Sequence, residues 1–160
     1  MKKLLIAIDG SEHALRAVDY VSEQFFGVPH LKITLFYVSP GVPPELWDDG
    51  HILTDAEKAE RKAVLDKWLN NQKLTVETIF QPAIEKLEKR GFHRDQIETR
   101  FASETVENVP ECILTEAKSG GYQTLVMGRC GASSTVHSLL GSTVTRILNR
   151  GAGIAICVVA

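Results

Sequence analysis

The chain has 160 residues, 44% of them hydrophobic, enough for one compact core and too few for two, so a single domain over 1–160 is expected. Its 18 basic and 20 acidic residues give a net charge of −2 and are interleaved along the chain, which excludes the dense basic stripe of a nucleic-acid binder. No apolar run approaches the roughly 20 residues of a membrane span, Asp9 interrupts the N-terminal run too early for an export signal, and three cysteines without a CxxC pair give no support to a disulfide framework or zinc site. A reducing cytoplasm is the expected location.

Residues 4–8 are a short continuous apolar run ending at Asp9-Gly10-Ser11, the pattern of a strand buried on both faces in a parallel sheet. Ala14, Ala17, Val18, Val21 and Phe25 then recur at helical spacing, with Ser11 as N-cap and Gly27 as a stop. Leu31, Ile33, Leu35, Phe36, Tyr37 and Val38 predict a second strand bounded by Pro40-Gly41. Residues 39–53, with Pro43, Pro44 and Gly50, read as an irregular excursion. Thr54 and Glu57 form a capping box for a helix that continues through Ala56, Ala59, Ala63 and Val64 to Leu69. Asn70-Asn71 and Pro82 predict a break or kink before Gly91. Trp47 and Trp68, with the charges of 55–67, read as a covering loop and an amphipathic helix.

A third strand is expected over 97–102 and a helix over 106–118, with Pro110 near its first turn and Gly120-Gly121 as its stop. A fourth strand over 124–127 leads into a small, polar, glycine-bearing segment, 128–137. A helix over 139–149 with Leu140, Val144, Ile147 and Leu148, and a fifth strand over 154–159, complete the pattern. This alternation predicts a five-stranded, doubly wound parallel α/β sheet with helices on both faces. In such sheets ligands bind beyond the carboxyl ends of strands where the winding reverses. The loops after Ile8 and Met127 are therefore the candidate site.

The second of these loops contains Gly128-Arg129-Cys130-Gly131 and, nine residues later, Gly141-Ser142-Thr143. Glycines leave no β-carbon between backbone amides and an anion, so such a loop can curl its N–H groups around phosphate oxygens. Ser142 and Thr143 add hydroxyl donors at the start of the following helix, where the dipole also favours negative charge. Neither GxxxxGK[ST] nor a GxGxxG after the first strand is present, so the P-loop and the dinucleotide fingerprint do not apply.

The spacing G-x2-G-x9-G-S, carried by Gly128, Gly131, Gly141 and Ser142, resembles the ATP-binding signature of the universal stress protein family. LLIAIDGSEHALRAVDYV and the closing IAICVV resemble that family's first strand and helix and its last strand, leaving only about 39–95 uncovered. The resemblance implies an adenine nucleotide alpha hydrolase-like sheet of order 3-2-1-4-5. It places Asp9, with Gly10 and Ser11, beside base and ribose, Val38 at the adenine through its backbone, and Met127 with Gly128 under the nucleoside. Arg129, Gly131, Gly141, Ser142 and Thr143 would wrap the phosphates of ATP, with Mg2+ as an accompanying ion. It also implies a homodimer paired through 154–159, an uncharged apolar edge. Cys130 departs from the family's usual polar or basic residue, and Ala152-Gly153-Ile154 replaces its frequent proline.

Each feature also has a plainer reading. Asp9 can be a capping acid, Arg129 a solvated charge, Cys130 a small loop residue, and Cys112 and Cys157 core. His13, His30, His51, His93 and His137 lack HxxxH or HExxH spacing, so no metal site is expected, although His137 is near enough in sequence to contact phosphate. The resemblance implies a nucleotide-dependent stress-response regulator, and because no catalytic pair is visible, at most a slow ATPase or autokinase is expected. The rival is a dimeric protein-interaction scaffold with no nucleotide dependence, its partner read through 39–95. Ser119-Gly120-Gly121 follows a helix rather than the first strand, so it is a stop signal and not the SGG motif of ATP-activating enzymes.

Overall fold

The computed structural model describes residues 2–41, 50–104, 108–131, 139–151 and 153–160. Five strands, β1 (Lys2–Ala7), β2 (Leu31–Pro40), β3 (Ile97–Glu104), β4 (Thr124–Gly128) and β5 (Ala155–Val159), form one sheet of order β3-β2-β1-β4-β5. All four pairings are parallel. The helices α1 (Glu12–Gln24), α2 (Asp55–Lys89), α3 (Val109–Ser119) and α4 (Ser142–Arg150) alternate with them. The expected order and helix cover are observed.

The alternation of side chains along β1 divides the core. Leu4 and Ile6 enter the layer beneath α1 and α2, with Val18, Val21, Phe80 and Leu87. Leu5 enters the opposite layer beneath α3 and α4, with Ile113, Leu125 and Ile147. Leu4, Leu5 and Ile6 are almost wholly buried, which explains why this strand reads as a continuous apolar run. With β1 between β2 and β4, the winding reverses at β1 and β4, whose carboxyl ends emerge side by side at Asp9 and Gly128.

Three element boundaries differ from those expected. The expected break in the second crossover is absent, because α2 is a single 35-residue element through Asn70-Asn71 and Pro82. Pro82 lies exposed, where the Thr78 carbonyl it leaves without an amide can be hydrated, while Ile79, Phe80, Ala83, Ile84 and Leu87 anchor the turns on either side. The fourth helix begins at Ser142, not at 139: Gly141 is its N-cap with extended ψ of 154°, and Leu139 and Leu140 are exposed loop residues. Ser39 and Pro40, assigned to the excursion, extend β2 instead. Smaller shifts occur elsewhere. The third helix begins at Val109 with Pro110 in its first turn, whereas 105–107 lie outside the described residues, as do Pro43, Pro44, Trp47, His137 and Ala152. Cys112 and Cys157 pack against the core only partly buried.

At about 1.5 Å per residue α2 is roughly 52 Å long, yet its buried residues all lie at or beyond Ile79. Val64, Leu65, Leu69 and Leu74 are exposed, so this part of α2 is not the one-sided amphipathic helix expected. Its start is held by the capping box, in which Thr54 N–H donates to Glu57 Oε2 at 2.7 Å and Glu57 N–H to Thr54 Oγ1 at 3.3 Å. Thr54→Ala should cost about 1 kcal/mol locally and speed amide exchange at residues 55–60 about fivefold, with the melting temperature within about 2 °C of wild type because this end buries nothing. The Thr54 backbone N–H and hydroxyl lower the Glu57 pKa. The cap is therefore fully present above the ordinary glutamate range; the hydroxyl's bond to the carboxylate depends on that charge, whereas its bond from the Glu57 N–H does not, so the difference between variant and wild type should shrink without vanishing as pH falls through the lowered value.

Candidate nucleotide site at the β1–β4 switch point

The turn after β1 is built from its own side chains. Ser11 N–H donates to Asp9 Oδ1 at 3.0 Å, closing an Asx turn, and Ser11 Oγ accepts the Ala14 N–H at 3.2 Å as the N-cap of α1. Gly10 has φ of +81°, and a β-carbon there would stand 3.2 Å from Ile79 of α2. Asp9 is thus fixed just beyond the carboxyl end of the central strand β1 without being the helix cap itself. Burial raises the pKa of Tyr37 on the neighbouring strand, with the Asp9 carboxylate adding to the effect and a hydrogen bond from Ser39 opposing it.

The loop after β4 starts with a close approach. A β-carbon on Gly128 would meet the carbonyl carbon and oxygen of His13 at 2.4 Å and the Ala14 nitrogen at 2.8 Å, so any side chain here would push α1 off the sheet. Arg129 is pinned through its main chain, donating to Val159 O at 2.7 Å and accepting from Gly141 N at 2.9 Å. This second bond brings Gly141 back onto the loop's stem. A β-carbon on Gly131 would stand 2.8 Å from Asp9 Oδ2, so the two candidate loops meet at that pair. Helix α4 follows with no side-chain cap on its first amides, leaving donors oriented towards the loop. His13 Nδ1 and Arg129 Nε are buried with no hydrogen-bond partner among the described residues.

Between the two loops lies a cavity of about 100 Å³. Of the residues singled out in the sequence, Asp9, Val38, Met127, Gly128, Gly131 and Thr143 line it. Gly10, Ser11, Arg129, Gly141 and Ser142 do not line it and instead shape the turns and helix starts around it. The cavity also takes in Phe36, Val109, Ile113 and Cys130, which sequence reasoning missed as site residues. Val109 and Ile113 have the helical spacing of ordinary core positions, and nothing in the sequence distinguishes the two. Cys130 is 6% exposed and faces the cavity between two glycines. Among the described residues no group of three or more His, Cys, Asp or Glu is gathered that could hold a metal ion.

The model of the universal stress protein family matches residues 1–152. Among curated proteins nothing matches the sequence. Solved structures share the fold. A hypothetical protein whose biochemical function was assigned from its structure aligns with TM-score 0.70 at 20% identity, over 99% of this chain and 94% of its own. A universal stress protein in complex with cAMP aligns with TM-score 0.58 at 19% identity, over 99% and 96%. The universal stress protein from Archaeoglobus fulgidus in complex with dAMP aligns with TM-score 0.54 at 18% identity, over 100% and 98%. The sheet order, the glycine loop at the switch point and the match over 1–152 lead to one conclusion: the chain belongs to the universal stress protein family.

Proposed function

We propose that this protein is a cytoplasmic, nucleotide-dependent stress-response regulator that binds ATP where the Asp9 turn and the Gly128–Gly131 loop meet. The observation that carries this reading is the convergence of Asp9, Val38, Met127, Gly128, Gly131 and Thr143 on one cavity at the switch point of the sheet. The cavity is smaller than the roughly 300 Å³ at which small-molecule sites begin, so it takes the nucleoside end while the phosphates lie along the loop and the first turn of α4. There the backbone amides and the hydroxyls of Ser142 and Thr143 supply donors. Arg129 adds positive charge, and its buried Nε gains an acceptor whose absence otherwise costs about 1–3 kcal/mol. The cAMP and dAMP held by two structural relatives support an adenine nucleotide. Mg2+ would come with the phosphates and be held by their oxygens and water.

Asp9 is the one carboxylate among the described lining residues, and it is engaged by the Ser11 amide. A pocket of donors and apolar walls favours holding a nucleotide over turning it over quickly. Slow hydrolysis or autophosphorylation stays within this reading. The direct test is to heat-denature freshly purified protein and assay the supernatant for adenine nucleotide. Released nucleotide, or saturable ATP titration of emptied protein, is the expected result; the absence of both would refute the reading.

We further propose a homodimer formed by pairing β5 across a two-fold axis. β5 is an edge strand whose residues are only half buried in the single chain, an arrangement that pairing would cover. Light scattering should give a mass twice 17.7 kDa; a monomer at micromolar concentration would contradict it.

A further inference from the structure

The opposite edge of the sheet has its own chemistry. Among the described residues β3 has one strand neighbour, β2, so its other row of backbone groups faces outward. The strand is eight residues long, IETRFASE, with no proline to blunt it, and Phe101 is 59% exposed. The register Tyr37↔Phe101 and Phe36↔Arg100 puts Phe101 and Ser103 on the α2 face and Arg100, Ala102 and Glu104 on the α3 face.

The sheet margin is hollow on both faces, and the two hollows differ. On the α2 side a groove of about 270 Å³ runs between Trp68, Leu69 and Val76 of the helix and Phe101. It is apolar. On the α3 side a cleft of about 720 Å³ sets Arg100 among Glu104, Glu111 and Glu116. Arg100 is engaged by Glu98 at 3.0 Å and Glu116 at 3.1 Å, and Glu111 pairs with Arg150. Four carboxylates thus meet two guanidiniums, and the excess is negative.

We propose that the outer edge of β3 accepts an extended peptide segment of a partner protein as an added strand, its alternate side chains apolar towards α2 and basic towards α3. An added strand presents side chains to the two faces with period two, which matches one apolar and one acidic hollow flanking the same edge. Backbone pairing supplies affinity, the groove at Trp68 and Phe101 supplies the apolar anchor, and the carboxylate excess selects lysine or arginine over acids. The α3-side cleft borders the nucleotide cavity at Phe36, which lines both, but the inference rests on the strand edge and its flanking charges and does not depend on nucleotide binding.

The test is fluorescence anisotropy with the full chain and a labelled peptide of about eight residues, matching β3, in which leucine and lysine alternate. Saturable binding is expected. The corresponding leucine–glutamate peptide should bind at least about tenfold more weakly, as should a leucine–lysine peptide N-methylated along its pairing edge. Phe101→Asp, at an exposed position, and Glu104→Lys, at a half-buried one, should each weaken binding about tenfold, with a melting curve of each variant showing that it is folded. No saturation up to about 1 mM, equal affinity for wild type and both variants, or undiminished binding of both of two peptides, each N-methylated along a different edge, would overturn the proposal.

Discussion

Gly128→Ala is expected to destabilise the protein by about 3 kcal/mol, the upper end of the range for overpacked cores. The added β-carbon would overlap the His13 carbonyl group at 2.4 Å and the Ala14 nitrogen at 2.8 Å, and these are backbone atoms in the first turn of α1. They cannot rotate away. Relief requires α1 to lift from β4, against which its Ala14, Ala17, Val18 and Val21 are buried. At roughly 2–4 °C per kcal/mol for a chain of this size, the melting temperature should fall by about 6–12 °C. Gly141→Ala is the matched control from the same motif. Its φ of −63° suits alanine, and a β-carbon there meets Cys130, Gly131 and Arg129 at 3.4–3.5 Å, so its cost should stay under about 1 kcal/mol. Equal melting temperatures for the two variants would show that the α1–β4 approach is looser than described.

Gly131→Val is expected to weaken ATP binding about a hundredfold, or about 2.7 kcal/mol, with a much smaller effect on stability. The β-carbon alone would stand 2.8 Å from Asp9 Oδ2, so the carboxylate must leave the position in which Ser11 N–H holds its other oxygen. The branches of valine would then occupy the space between the two loops where, in the proposed complex, the nucleoside would meet the phosphates. Stability should change by less than about 1 kcal/mol, because the displaced atom is the end of a partly exposed side chain and not backbone. Isothermal titration of the variant beside wild type, with a melting curve for each, separates the two effects. A variant that binds as tightly as wild type would remove Gly131 from the site.

The contrast between these glycines shows what was legible in the sequence and what was not. Their spacing pointed to a phosphate loop, and the structure does bring Gly128, Gly131 and Gly141 around one stem. The spacing carries no sign that Gly128 is also required by the packing of α1. The strands were legible because each is short and bounded: the apolar run before Asp9 and the β-branched run before Pro40 have few alternatives. The continuity of α2 was not, since a proline reads as a break unless one knows that its face is turned to solvent and its neighbours Phe80 and Ala83 are anchored. Nor could Val109 and Ile113 be distinguished from core, because cavity lining and core packing demand the same residues at the same helical spacing. The cleft and groove beside β3 depend on which faces the helices leave bare. That is decided by tertiary packing.

The central claim is that the two loops at the switch point form an ATP site, and its most direct measurement is an ATP titration followed by amide NMR shifts. Saturable shifts are predicted at Asp9, Gly10, Val38, Gly128, Gly131 and the first turn of α4, with little change along β3 or at the start of α2 and with GTP much weaker. Saturation with shifts centred elsewhere, or no shifts at millimolar ATP, would contradict the account.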